Sequence, residues 1–181
     1  MIRPTEKARE VVKRGLASAK AEGRAVRVLF VCLGNICRSP AAQGVTEAMA
    51  AARGMSADIE CDSAGFYGGH RGEMPDRRMR QAAFSRGYRL EHRSRTVNDG
   101  DFDYFDIIVG MDDNNLASLH RAAPTVEDEA KIIGMADFAV NHPDEFYVPD
   151  PYYEGPAGFI LVLNLLEDAC GTLLDLIAAD R

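Results

Sequence analysis

The chain has 181 residues, 46% hydrophobic and 27% charged, with a net charge of -7, enough for one soluble globular domain with its own core and unlike a disordered chain. No apolar run approaches the roughly eighteen residues of a membrane span, and residues 1–25 hold no apolar stretch of a secretory signal. Four cysteines, Cys32, Cys37, Cys61 and Cys170, are too few for a disulfide scaffold and lack the paired spacing of a zinc site, so the expectation is a reducing cytoplasm and no metal.

Charge is unevenly spread. Residues 1–27 carry eight Lys/Arg against three Glu, which leaves an acidic body that argues against a nucleic-acid grip. Residues 3–23 read as a helix, with Val11, Val12, Leu16 and Ala19 among scattered charges, and residues 1–25 are taken as a basic helical extension laid against the domain. From Val26 to Val31 the run is short, β-branched and nearly all apolar, as in a strand buried on both faces of a parallel sheet. Ser39-Pro40 then suggests a helix start with Ser39 as N-cap, and Gly54 its left-handed exit.

The alternation repeats downstream. Strands are expected at 59–63, 105–110 and 131–135. Helices are expected at 75–86, closed by Gly87, and from Asp112 to about residue 121. A long last helix begins at Gly155-Pro156, with Val162, Leu166, Ala169, Leu173 and Ile177 on one face. The acidic cluster Asp99, Asp101, Asp103 and Asp106 reads as a solvated face and helix-start chemistry. Residues 26–181 thus form one α/β domain, an open four-stranded parallel sheet with helices on both faces. Ligands in such sheets sit at the carboxyl ends of the strands.

The loop after the first strand reads Cys32-Leu33-Gly34-Asn35-Ile36-Cys37-Arg38-Ser39. The amides of such a turn, backed by a helix N-terminus, make a concave anion site. Gly34 and Asn35 are the residue types that tolerate a left-handed backbone. Arg38 can hold two phosphate oxygens with its planar fork. A thiolate at Cys32, beneath a phosphoryl group, would be an in-line nucleophile.

This loop resembles that of the low-molecular-weight protein tyrosine phosphatases. The resemblance runs from about Val26 to Ala179 and includes Asp62-Ser63-Ala64-Gly65, Asp103-x-Phe105-Asp106, Met111-Asp112-x2-Asn115-Leu116 and Asp150-Pro151-Tyr152-Tyr153. It implies a single phosphatase domain of flavodoxin-like layering that works without a cofactor. Cys32 would form a phosphocysteine, Arg38 would clamp the phosphoryl, Ser39 would hydrogen-bond the thiolate and Asp150 would be general acid, then base. The phosphate would be cradled by Leu33, Gly34, Asn35, Ile36, Cys37, Arg38 and Ser39, with Asn35, Ser63 and His92 supporting the loop. Tyr152 and Tyr153 would flank the substrate ring. Phe66 or Tyr67 would stand in for the aromatic residue the family often places near His70, where this chain has Gly68-Gly69. The implied substrate is a phosphotyrosine protein or a small aryl phosphate, and the product inorganic phosphate.

Cys37 reads either as loop packing or as a redox partner for Cys32, and Cys61 and Cys170 as small core residues. Other activities on this scaffold are weighed against the same residues. A phosphoarginine phosphatase would favour Thr where Ile36 stands. A thioredoxin-linked arsenate reductase would need two cysteines some seventy to eighty residues after the nucleophile. A phosphocysteine carrier would have no use for Arg38 and Asp150.

Overall fold

Val26–Cys32 (β1) carries branched or aromatic residues at most positions, and all but Arg27 are buried, as befits a central strand covered on both faces. The computed structural model, which describes residues 2–180, pairs β1 with β2 (Ile59–Gly65) on one side and β3 (Ile107–Gly110) on the other. β4 (Ile132–Gly134) lies beyond β3, giving the order β2-β1-β3-β4 with every pair parallel. This is the expected sheet. β2 runs two residues past its expected end, and β3 and β4 are trimmed at their margins.

Alternation along β1 divides its side chains between two layers. Val28, Phe30 and Cys32 join the larger core, with Val11, Val162 and Leu166, whereas Leu29 and Val31 join a smaller one with Phe102, Ile108 and Leu119. Burying one such side chain contributes about 1.5–3 kcal/mol, more than the ~1 kcal/mol net of a ladder hydrogen bond. A one-residue slip of register would exchange the two sets.

Helices α1 (Glu6–Ala21), α2 (Arg38–Ala52) and α7 (Pro156–Ala179) share the larger core. In α7 the five residues of the expected face are all buried, and among the described residues no helix is long and apolar enough to cross a membrane. Helix α1 is the extra helix anticipated at the N-terminus. Thr5 caps it by accepting from the Ala8 amide at 3.2 Å, and Ala8, Val11, Val12 and Ala19 are buried. The segment before it is also tied down. The Thr5 amide donates to the Asp137 carbonyl, and Arg3 donates to the His142 carbonyl and lies over the Phe146 ring.

Helix α3 (Arg77–Phe84) starts two residues later than expected, because Asp76 caps it. A short helix, α4 (Asp99–Tyr104), precedes β3, its first turn holding Asp99 and Asp101 as the helix-start reading of the acidic cluster expects; α5 (Asp113–Ala122) and α6 (Val126–Glu129) follow. The acidic cluster is only partly a solvated face. Asp101 is buried against Arg95, and Asp106 accepts two hydrogen bonds from the Arg24 guanidinium at 2.7 and 2.9 Å. The Asp106 bonds, followed by one from Arg24 to Glu22, hold Arg24 above its ordinary pKa.

The register sets the site. Cys32 lies beside Gly65 and Val31 beside Gly110, so the carboxyl ends of β1, β2 and β3 converge at one edge.

Candidate active site

The chain leaves β1 at Cys32 and turns sharply before α2. In that turn the carbonyls are engaged from outside. Leu33 accepts from the Phe66 and Tyr67 amides (2.9 and 2.8 Å), Gly34 from the Ser94 hydroxyl (3.1 Å) and Ile36 from the Asp76 amide (2.7 Å). The amides of residues 33–37 donate to no acceptor among the described residues. They stand at the N-terminus of α2, with no partner among the described residues to compete for them.

Asn35 alone carries the left-handed backbone, at φ 55°. Gly34 does not, contrary to expectation; a side chain there would press on the His70 ring. The close approach falls instead at Gly65, where an added Cβ would lie 2.5 Å from the Leu33 carbonyl oxygen and 2.9 Å from the Asn35 nitrogen. Real Cβ atoms do not come so near backbone, so the loop can rest on β2 only if residue 65 has no side chain.

Beneath the loop the polar groups form a closed chain. Asn35 Nδ2 donates to Ser39 Oγ (2.8 Å) and Ser63 Oγ (3.0 Å), and Ser63 donates onward to Gln43. Asn35 Oδ1 accepts from the Arg95 amide at 3.0 Å and lies 2.9 Å from His92 Nε2. That oxygen can only accept, so the proton is assigned to Nε2. Ser39 Oγ stands 2.9 Å from Cys32 Sγ. Ser39 is therefore not the helix cap. α2 begins at Arg38 and Cys37 occupies the cap position without a side-chain bond, while the Ser39 hydroxyl lies against the sulfur and, at 3.4 Å, the Ala64 carbonyl. Asn35, Ser63 and His92 come together as expected. Asn35 and Ser39 sit behind the cavity wall, which is built from Cys32, Leu33, Gly34, Ile36, Cys37 and Arg38.

Arg38 is 2% exposed, and its position depends on a residue whose second role was missed. Its Nη1 donates to Asp112 Oδ2 at 2.6 Å and to the Val148 carbonyl at 3.1 Å. Asp112 Oδ1 also accepts from the Asn115 amide and caps α5. One carboxylate thus does two tasks, and only the cap was legible. The signal available was its place directly beyond β3, at the strand-end edge. Nη2 of Arg38 lies 3.5 Å from Asp150 Oδ2. Burial pulls the Arg38 pKa down, but Cys32, Asp112 and Asp150 outweigh it and leave it raised.

Asp150 stands at the mouth, 42% exposed. Its Oδ1 accepts from the Tyr152 amide at 3.1 Å. The cavity beneath measures about 390 Å³, and its upper wall is Tyr67, His70, Tyr152 and Tyr153. The rings meet in sequence, Tyr67 to His70 at 5.6 Å, His70 to Tyr152 at 6.4 Å and Tyr152 to Tyr153 at 4.9 Å. Tyr153 is 93% exposed and belongs to the rim. Phe66 is not in the wall. It follows Gly65 on the opposite face and packs with Phe102, Ile108 and their neighbours. His70 takes a place that sequence reasoning did not assign. Gly68-Gly69 makes this possible: residues 68–70 form a single 3-10 turn, and the Tyr67 ring lies where a Gly69 side chain would be.

All four cysteines are free. Burial pushes the Cys37 thiol up, with Asp76 and Cys32 adding to it. Burial also raises Cys170, to about 12, and Cys61. Neither lines the cavity. Among the described residues no group of His, Cys, Asp and Glu could hold a metal ion.

A family model described as low molecular weight phosphotyrosine protein phosphatase matches residues 27–181. The chain belongs to that family. A putative low molecular weight protein-tyrosine-phosphatase of Synechocystis is 46% identical over 149 residues, covering 82% of this chain and 94% of that protein. A low molecular weight protein-tyrosine-phosphatase of Streptomyces coelicolor is 42% identical, over 82% of this chain and 91% of its own length. The crystal structure of a protein tyrosine phosphatase from Entamoeba histolytica, with Hepes in its active site, superposes with a TM-score of 0.81 at 42% identity; it covers 83% of this chain and 96% of that one. As a member of this family the chain is a phosphatase, a hydrolase. The region matched by the family model begins after α1.

Proposed function

We propose that the chain hydrolyses phosphotyrosine, in protein or as a small aryl ester, through a phosphocysteine on Cys32. The phosphoryl oxygens accept from the amides of residues 33–37, and Arg38 closes on them with the part of its guanidinium not taken by Asp112 and Val148. The Cys32 thiolate attacks phosphorus in line, with Ser39 donating to the sulfur. Asp150 protonates the departing phenolate, then takes a proton from the water that releases inorganic phosphate; such acid–base assistance contributes roughly 10²–10⁴-fold. The residues present call for no cofactor.

The observation that carries this reading is the arrangement around Arg38. A nearly inaccessible cation is fixed by Asp112 beside a sulfur and an amide nest, with a carboxylate 3.5 Å away at the entrance. The buried Ile36 side chain and the tyrosine wall favour an aromatic ester over phosphoarginine. Free thiols throughout suit a reducing cytoplasm. A peroxide that oxidised Cys32 to its sulfenic acid would give Cys37 a partner, the two condensing to a disulfide with loss of water.

The test is turnover of para-nitrophenyl phosphate and a phosphotyrosine peptide by the wild-type chain and by Cys32→Ser. Wild-type turnover with accumulation of an acid-labile phosphoenzyme supports the reading. An inactive wild type, or a Cys32→Ser variant as fast as wild type, overturns it.

A further inference from the structure

Beside the catalytic cavity lies a second, larger and more open depression of about 690 Å³. It runs along the outer face of α3, between that helix and residues 88–91. Arg77, Arg80, Phe84, Tyr88 and Arg89 line it. The two cavities share no lining residue and are linked through the neighbours of Arg77 in the chain. The Asp76 amide donates to the Ile36 carbonyl at 2.7 Å, and Arg78, next along the helix, lies over the Tyr152 ring at 5.3 Å. Its far wall continues into His92, which supports the loop.

The groove is cationic on an anionic molecule. Residues 71–95 hold eight arginines against three acids, in a chain whose net charge is -7. Most of those arginines have internal partners: Arg95 pairs with Asp62 and Asp101, Arg86 with Glu167, Arg78 with Asp76. Two in the groove do not fit that pattern. Arg77 makes no side-chain hydrogen bond or ion pair among the described residues, and exposed Arg89 meets only exposed Glu91, at 3.8 Å. Phe84, 63% exposed, gives an apolar platform between them. Positive charge beside an aromatic face, on the helix whose first residues touch the phosphate loop and the tyrosine wall, matches an extended acidic segment.

We propose that this groove binds acidic residues flanking the phosphotyrosine of a protein substrate, with an apolar side chain of the same segment on Phe84. The proposal rests on the phosphatase reading above and adds a substrate preference to it. Exposed charge pairs contribute little each, so two arginines should change specificity several-fold rather than decide it.

The experiment compares two phosphotyrosine peptides of equal length, one with Asp and Glu around the phosphotyrosine and one with Asn and Gln. Para-nitrophenyl phosphate serves as a substrate too small to reach the groove. Wild type should favour the acidic peptide by roughly fivefold to tenfold in kcat/KM at low salt, through KM, with the preference shrinking as salt screens it. The double variant Arg77→Glu/Arg89→Glu, changed only at exposed positions, should lose the preference while turning over para-nitrophenyl phosphate as before.

Three results would overturn the proposal: no preference in wild type, a preference that survives charge reversal, or a loss shared equally with para-nitrophenyl phosphate. A groove that instead binds a second copy, seen as a dimer broken by the double variant and untouched by the acidic peptide, would overturn it as well. An inactive wild type on all three substrates would sink the phosphatase reading itself, a result recognisable without the variants.

Discussion

The two loops that meet over Cys32 are held in opposite ways. The phosphate loop is pinned from β2, α2, α3 and the 92–95 segment, with both polar atoms of its central Asn35 side chain engaged. The loop bearing Asp150 is held by the Val148 amide on the Met111 carbonyl, the Val148 carbonyl on Arg38, and a local turn bond to the Tyr152 amide. The lesson is a division of labour. On the proposed mechanism, a nest that must present its amides before the substrate arrives cannot reorganise cheaply, whereas an acid that serves leaving groups of different size gains from a looser mount.

Variants can break this contrast, the largest effects coming where the pinned loop does its chemistry. Cys32→Ser should cost about 10⁴-fold or more in kcat on para-nitrophenyl phosphate while leaving the melting temperature near wild type. Asp150→Ala should cost roughly 10²–10⁴-fold on aryl phosphates with poor leaving groups and much less on para-nitrophenyl phosphate, again at unchanged stability. A plot of log kcat against leaving-group pKa reads this directly, and parallel lines for the two proteins would remove Asp150 from the acid role.

Asp112→Asn sharpens the comparison, because Asn still caps α5 while Arg38 loses its charged anchor. The expectation is on the order of 10²-fold in kcat from misplacement of the guanidinium, with little change in unfolding. An equal fall in stability and rate would reduce Asp112 to a cap. Gly65→Ala attacks the pinned loop from below. Its Cβ meets backbone, so chemical denaturation should show a loss of about 1–3 kcal/mol, and activity should fall with it.

The smallest effect concerns pH. Burial holds the His92 imidazole below its ordinary pKa, against the opposing pull of Asp62 at 3.4 Å, while Arg95 adds to the depression. The unfolded chain therefore takes up a proton first as pH falls. Stability from this group is intact above the ordinary value of about 6.5 and is lost from there down to the depressed folded value. Melting temperatures of wild type and His92→Gln, followed from about pH 8 to about pH 5, should converge on the acid side. Parallel curves would mean His92 does not titrate on folding.

The sheet and the loop were legible because their signals are local. A β-branched run, a Gly-Asn turn and an Arg six residues after a Cys all lie within one stretch of chain. What escaped depends on contacts between distant residues. Asp106 looked like part of a solvated acidic run because Arg24 is 82 positions away. Asp112 looked complete as a helix cap, and nothing nearby in sequence announces Arg38. Ser39 was misassigned for a related reason. Ser-Pro is a sound helix-start signal, but here a sulfur seven residues earlier competes for the hydroxyl. Phe66 and Tyr67 are equal candidates in the sequence for the family's aromatic residue near His70, but consecutive extended residues point to opposite sides, and only Tyr67 reaches the wall.

Arg3 and Thr5 precede the part of the chain that the family model matches, yet their hydrogen bonds end on residues 137–142, a short step upstream of Asp150. Anything attached to or cut from the front of the molecule thus tugs on a tether whose other end sits near the catalytic entrance. A fusion partner or an affinity handle placed there would load that tether, so rates are best compared before and after its removal.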